Sequence, residues 1–282
     1  MSLLHKINKL NNFTDRENFL DLFCNSNHVG LVHKKIAELL LKSKLPYALK
    51  SKSIFFKETK KKLLNITAKN TCDLLLEKKI ISKVTGENFP CVSSLGQKEL
   101  FKLERSLVEF LGIRGYGVHL IAYVRTLKRK KIKVWIPLRS ANKRIEPNKL
   151  DNTVAGGIAS GETVFEALIR EGFEEASFKR SIFNNVVQAG TINYFWRNKK
   201  LSLRRDTLFL FDLELPKNII PLNNDGEVSK FNLYSSDKVI DKIKHTNDFK
   251  KNCALVFASF FIRKGLINFK NEKNYEEICR FL

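Results

Sequence analysis

Among 282 residues there are only six prolines, thirteen glycines, one methionine and two tryptophans. So few breakers exclude a collagen-like or low-complexity chain, and no Pro- or Gly-rich linker or internal repeat is visible. Five cysteines occur, at 24, 72, 91, 253 and 279, without a CxxC pair and without a histidine at zinc-ligand spacing. A structural zinc module is therefore excluded, and the odd count argues for reduced, buried thiols in a reducing compartment. No run of 18 apolar residues exists, so no transmembrane helix is expected. The first twenty residues, MSLLHKINKLNNFTDRENFL, lack the continuous apolar core of a secretory signal. Asp15 and Glu17 come early for a transit peptide, and a cytoplasmic protein with no membrane partner is expected.

Acid is the scarcer charge: 29 Asp and Glu stand against 51 Lys and Arg, a formal net charge of +22. Such a surface attracts polyanions, from nucleic acid to phosphorylated metabolites. The lysines, however, are scattered, the nearest to runs being KETKKK at 57–62 and KRKKIK at 128–133, the second a candidate hairpin turn. Compositional drift explains such scatter, and no specific nucleic-acid partner is expected. With 43% hydrophobic and 28% charged residues the chain can bury one large core or two modest ones.

Two blocks differ in texture. Residues 1–115 mix short patterns: helical spacing at 31–44, a hairpin suggested by 53–56 and 63–67, and helices over 72–81 and 100–111. From residue 116 the pattern sharpens. Alternation predicts strands at 117–125 and 131–138, then at 186–195, 206–214 and 228–234. Helical patterns cover 163–176, 236–244, 250–263 and 275–281. Interleaved strands and helices predict an α/β or α+β sandwich with a mixed sheet, preceded by a smaller α+β domain.

The segment 156–178, GGIASGETVFEALIREGFEEASF, carries the chemistry. Thr163 and Glu166 form a capping box that should start a helix after a Gly-rich loop. Glu171, Glu174 and Glu175 are then spaced i, i+3, i+4 on one face. Like charges so placed repel by a few tenths of a kcal/mol per pair. Arg170 can pair at i±4 with Glu166 or Glu174, and a hard divalent cation would offset more, completed by phosphate oxygens. A solvated acidic face explains most glutamate triplets on helices. Here it must also explain the spacing G-x5-E-x7-R-E-x2-E-E through Gly156, Glu162, Arg170, Glu171, Glu174 and Glu175. At about one in fifteen per residue type, six matches anywhere in such a chain arise by chance at roughly 10⁻⁵ to 10⁻⁴.

This spacing resembles the signature of the Nudix family, G-x5-E-x7-R-E-U-x-E-E-x-G-U with U bulky and apolar. Gly172 departs from the usual apolar residue and Ser177 from the final glycine. The resemblance implies an α/β/α sandwich around a mixed sheet and hydrolysis of a small organic diphosphate with Mg²⁺ or Mn²⁺. By matching position it implies Glu171, Glu174 and Glu175 as metal ligands, assisted by the Gly156 carbonyl. Arg170 would orient the helix carboxylates, Glu162 would stabilise the loop, and Glu227 in the DGEV segment would be a further ligand or base. The segments at 112–125, 150–161, 203–216, 225–228 and 252–254 are together similar to a Nudix subfamily found alone or upstream of thiamine pyrophosphokinase. That similarity implies an accessory domain over 1–115, a Nudix domain over 116–282, and action on thiamine diphosphate or its damaged oxo and oxy analogues.

Read on their own, the residues say less about the organic group. Phe195 and Trp196, after Tyr194, could stack a pyrimidine or merely pack a sheet. Arg204 and Arg205 could bind phosphate or be solvated. A cationic rim including them would disfavour an intact thiazolium. Arg139 and Asn152 flank the motif as candidate substrate contacts, and His119 reads as a packed core histidine. A nucleotide-directed Nudix hydrolase, on ADP-ribose or an oxidised nucleotide, is the competing enzyme. A basic RNA-binding module on a Nudix scaffold is the competing non-enzyme, disfavoured by the complete glutamate set and by the lack of an RNA-recognition motif. Oligomeric state is left open.

Overall fold

The computed structural model of the chain describes residues 2–126, 131–143, 145–197 and 199–282. The tip of the basic turn expected at 128–133, residues 127–130, lies outside the described residues.

The first part of the chain runs α1 (Leu3–Leu10), β1 (Phe19–Cys24), β2 (Asn27–His33), α2 (Lys34–Lys42), β3 (Tyr47–Lys50), β4 (Ser53–Phe56), α3 (Lys61–Glu77), β5 (Asn88–Cys91), β6 (Phe101–Glu104) and α4 (Arg105–Leu111). Four of its strands form a sheet in the order β2-β1-β4-β3, while β5 and β6 pair as a separate ribbon. Three expectations are corrected here. Strand β4 pairs with β3, not with residues 63–67, through a turn in which Ser51 and Lys52 both take positive φ. Residues 63–67 lie inside α3, because Leu64, Ala68, Cys72 and Leu75 are buried at helical spacing and outweigh the local strand preference. The helices expected at 31–44 and 100–111 each begin as a strand. Glu104 ends β6 and caps α4 by accepting from the Ser106 amide at 3.2 Å.

The second part contains β7 (Arg114–Thr126), β8 (Lys131–Arg139), β9 (Val154–Gly157), α5 (Val164–Ala176), β10 (Val187–Trp196), β11 (Arg204–Glu214), β12 (Val228–Ser235), α6 (Ser236–His245), α7 (Cys253–Arg263) and α8 (Tyr275–Cys279). Its mixed sheet has the order β10-β11-β7-β8-β12, with β9 paired on β7. Strand β11 runs parallel to β7, and β10, β8 and β9 run antiparallel to their neighbours. The mixed α+β class expected from the sequence is the one found.

Alternation along β7 builds the layers. Val118, Leu120, Ala122 and Val124 pack with Ala167, Leu168 and Ala176 of α5. Ile121 and Tyr123 point to the other face, onto α6, α7 and α8 residues such as Ile243, Phe257 and Ile278. Helix α1 joins this second layer through Leu3, Ile7 and Leu10, although it precedes the first sheet in sequence. Residues 19–113 otherwise enclose their own cluster around Leu22, Ile36, Phe101 and Leu107. The five cysteines are unpaired, four of them buried. Among the described residues no helix is long and apolar enough to cross a membrane.

Candidate active site

The glutamate segment folds as its spacing predicts. Thr163 caps α5 by accepting from the Glu166 amide at 3.2 Å, and Glu166 accepts in return from the Thr163 amide at 2.9 Å. This capping box occupies Glu166, so Arg170 turns elsewhere. Its guanidinium donates to Glu162 at 2.5 and 3.0 Å, to Glu171 at 2.8 Å, to Glu174 at 3.0 Å and to the Gly157 carbonyl at 3.1 Å. Glu162 also accepts from the Ala159 amide at 2.9 Å. One arginine thereby ties the Gly-rich loop to the acidic face of the helix, and the Glu162 bond first among these raises its pKa.

Glu171 lies hard against β9: a Cβ at Gly156 would fall 1.8 Å from the Glu171 Cδ, so only glycine admits the carboxyl there. Burial pushes Glu171 above the ordinary carboxylate value. Glu175 is more enclosed, 5% exposed, and accepts from the Ala155 amide at 2.8 Å. Burial, then the charges of Glu171 and Asp151, push it up to about 8. Glu174 is the open member of the three, with 42% of its side chain exposed.

Among the described residues no group of three His, Cys, Asp or Glu side chains stands ready to hold a metal, since Arg170 occupies Glu171 and Glu174. The donors are nevertheless of the right kind. Glu171 and Glu175 are desolvated carboxyls with raised pKa values, and the Glu171 carboxyl lies against Gly156. Hard oxygen donors under mutual repulsion fit a divalent cation.

The two departures from the family pattern have local explanations. A Cβ at Gly172 would sit 2.3 Å from the Phe183 ring, which occupies the space a bulky residue would otherwise take. Ser177 ends the helix in the left-handed region, φ 55° and ψ 28°.

The helix face opens onto a cavity of about 740 Å³ between the sheet and the β5–β6 ribbon. Gly156, Arg170, Glu171, Glu174 and Glu227 line one part of it, and Arg139, Trp196 and Arg204 line others. Glu227 forms an ion pair with Lys143. Tyr194 donates to Asp206 at 2.5 Å, and Arg204 donates to the same carboxylate at 2.7 Å while lying 5.7 Å from the Trp196 ring.

Other expected contacts are displaced. Arg205 and Phe195 are register partners facing away from the cavity, because they alternate with Arg204 and Trp196 along β11 and β10. Phe195 packs beside Phe19, Leu31 and Leu203, and Arg205 donates to the Gly112 carbonyl at 3.1 Å. Burial first, then Arg114, lowers the Arg205 pKa to about 10. Asn152 is buried behind the wall, where its Oδ1 accepts from His119 Nδ1 at 2.8 Å. Arg139 reaches the cavity but commits its guanidinium to Asp151 at 2.7 Å and to the carbonyls of Glu146 and Ile145. Asp151 is held well below the usual carboxylate range: burial opposes this, but Lys250 and Arg139 outweigh it.

Among the described residues, nine cationic and eight acidic side chains line the cavity, so the strongly cationic rim expected around Arg204 and Arg205 is not found among them.

Sequence reasoning missed Lys143, Asp206, Lys250, Phe89 and Arg105, all of which line the cavity. Each lies far in sequence from the motif, and single basic residues carry no signal in so basic a chain. His119, expected as a packed core residue, is 4% exposed, its pKa lowered to about 4 by burial and then by Lys250, yet it borders the cavity.

Residues 117–254 match the family model described as the NUDIX domain, and residues 2–115 match one described as a domain of unknown function, DUF4743. An uncharacterized protein of Saccharomyces cerevisiae is 35% identical over 195 residues, covering 65% of this chain and 57% of that protein. Nudix hydrolase 20, chloroplastic, of Arabidopsis thaliana is 38% identical over 194 residues, covering 69% of this chain and 51% of its own length. Nudix hydrolase 24, chloroplastic, of the same plant is 36% identical over 194 residues, covering 69% and 52%. The chain thus spans a little over half the length of the curated relatives it matches.

Proposed function

We propose that the chain, whose residues 117–254 match the NUDIX domain, is a Nudix hydrolase: a Mg²⁺- or Mn²⁺-dependent diphosphate hydrolase that converts thiamine diphosphate, or its oxo and oxy analogues, to monophosphates. The observation that carries the hydrolase reading is the joining of Glu162, Glu171 and Glu174 by Arg170 at the edge of the cavity. Carboxylates clustered at a cavity suit a divalent cation, through which the phosphates of a diphosphate would be held.

Glu171, Glu174 and Glu175 would hold the metal, with the Gly156 carbonyl. The ion supplies charge neutralisation at phosphorus and a more acidic water. Arg170 keeps the carboxylates aimed. Glu227, at the cavity wall, would accept the proton of the attacking water, and its partner Lys143 would move to the phosphate. At the other end Trp196 would stack an aromatic ring, and Asp206, fixed by Tyr194 and Arg204, would accept from its exocyclic amine.

The thiamine assignment rests on the five similar segments, which extend well beyond the motif, and on this aromatic end. We also propose that residues 1–115 act as the accessory unit and 116–282 as the catalytic one, with α1 packed on the latter. The free thiols favour a reducing compartment, the cytoplasm first.

A phosphate-release panel with Mg²⁺ tests the substrate: thiamine diphosphate, oxothiamine diphosphate, ADP-ribose and nucleoside triphosphates. The damaged thiamine forms are expected to show the highest kcat/KM. A tenfold preference for a nucleotide overturns the substrate, while no hydrolysis of any diphosphate, together with submicromolar RNA binding at physiological salt, overturns the enzyme.

A further inference from the structure

The β5–β6 ribbon, from the part of the chain matching a domain of unknown function, reaches into the site. Phe89 stands over Gly157 so closely that a Cβ there would lie 2.5 Å from its ring. The Asn88 carbonyl accepts from the Ser160 amide at 2.8 Å, and Glu99 accepts from the Ser160 hydroxyl at 2.6 Å. These contacts grip both flanks of the Gly-rich loop that positions Glu162 and Arg170. Beside them Arg105 lies 5.3 Å from the Phe89 ring and lines the same cavity as Glu171 and Glu174.

Of the four arginines that line the cavity among the described residues, Arg139 and Arg170 are committed to carboxylates and carbonyls of their own surroundings. Arg204 stands at the aromatic end, against Asp206. Among the described residues the Arg105 guanidinium bonds through Nη1 alone, at 2.8 and 3.0 Å to Glu87, while its Nε and Nη2 have no such bond. Side-chain exposures of 37% for Arg105 and 50% for Glu87 make this a weak surface pair. Its charge also reaches Glu171, where burial raises the pKa and Arg105 is among the groups that oppose the rise. A guanidinium on an aromatic ring, with a planar pair of donors to spare, suits bidentate capture of phosphate oxygens.

We propose that Arg105 is a substrate-binding residue supplied by the N-terminal segment, which takes an oxygen of the substrate's diphosphate from the Phe89 wall of the cavity and so makes the accessory unit part of the active site. This rests on the diphosphate-hydrolase reading but not on the identity of the organic group.

The test measures binding of methylenediphosphonate to the full-length chain by calorimetry with Mg²⁺ present, alongside steady-state kinetics on the best substrate of the panel. Arg105→Ala is expected to weaken the probe and raise KM about tenfold, with kcat changed less than about threefold. Arg105→Lys should recover part of the probe affinity, which a purely structural role would not. Glu87→Gln removes the surface partner and keeps the cation, so it should bind the probe at least as tightly as the unaltered chain. Probe affinity and KM both within twofold for Arg105→Ala overturn the proposal, as does failure of the unaltered chain to bind the probe. Should the chain bind the probe through Arg105 yet hydrolyse no diphosphate, the hydrolase reading fails and the anion site stands.

Discussion

At the α5 end of the cavity, Gly156, Glu162, Arg170, Glu171 and Glu174 come from the end of β9, the loop after it and one helix. At the β10–β11 end, Tyr194, Trp196, Arg204 and Asp206 come from two strands whose register sets Tyr194 opposite Asp206 and Trp196 opposite Arg204. The first end is fixed by helix periodicity and a capping box, so its side chains keep their relations wherever the helix goes. The second exists only once the sheet has formed, and a slip of one residue would exchange Arg204 for Arg205 at the cavity. The local end suits chemistry common to a whole family. The register-dependent end can change its ligand without disturbing the first.

The sharpest way to break this contrast is to remove one charge from each end. Glu174→Gln is expected to cost several orders of magnitude in kcat with Mg²⁺ as the sole metal, with the circular-dichroism spectrum unchanged, because Glu174 is the open carboxylate at the cavity. Asp206→Asn should act mainly on KM, raising it about tenfold for the preferred organic group and little for methylenediphosphonate binding. Equal losses of kcat from both variants would erase the distinction between a chemical and a recognition end.

A milder test uses pH on the metal-free protein. Glu175 is pushed up to about 8 by burial and its acidic neighbours, against an ordinary value of 4.5. Between those values the folded chain keeps a proton the unfolded chain has lost, so this group's contribution to stability falls as pH rises from about 4.5 to 8. The slope it adds is at most about 1.4 kcal/mol per pH unit. Thermal unfolding without divalent metal should fall in Tm from pH 5 to pH 8, Mg²⁺ should restore Tm most at pH 8, and Glu175→Gln should flatten the fall. An unchanged slope in that variant would remove Glu175 as the cause.

The same contrast explains what could be read from the sequence. The α5 end was legible because helix spacing, cap and loop lie within 156–178. The strands and helices from residue 114 onward, β9 excepted, were placed to within about three residues, because alternation along β7 and β8 is strong. The β10–β11 end was half legible: the strands were placed, but two adjacent arginines and two adjacent aromatics cannot tell which member faces the cavity until a partner sheet and core exist. Phe195 went to the Phe19 and Leu31 cluster, which sequence distance hid. In the first block α3 masked itself, since Leu63, Asn65 and Thr67 alternate with Leu64 and Ile66 in a way that imitates a strand. The Phe89 and Arg105 wall had no motif to announce it.

The smallest effects lie inside the α5 end, where two departures from the family pattern should answer opposite changes. At Gly172, alanine would gain about 1 kcal/mol of helix propensity. Its Cβ would meet Phe183 at 2.3 Å, and overpacking costs about 1–3 kcal/mol, so Gly172→Ala is expected to destabilise by about 1 kcal/mol. At Ser177 the reverse holds. Its backbone sits at φ 55° while its amide donates to the Phe173 carbonyl at 3.0 Å and the Phe178 amide to the Gly172 carbonyl at 3.0 Å, a helix stop that favours glycine. The left-handed backbone costs a side-chain-bearing residue about 1 kcal/mol, and glycine's greater freedom in the unfolded chain returns part of that. Ser177→Gly is therefore expected to stabilise by about 0.5 kcal/mol, read as a higher urea midpoint at unchanged m-value. Neither change touches a carboxylate, so kcat should stay within about twofold in both. A stabilised Gly172→Ala would mean that Phe183 yields more easily than its packing suggests, and a destabilised Ser177→Gly would mean that the serine side chain does work at the helix end beyond its backbone.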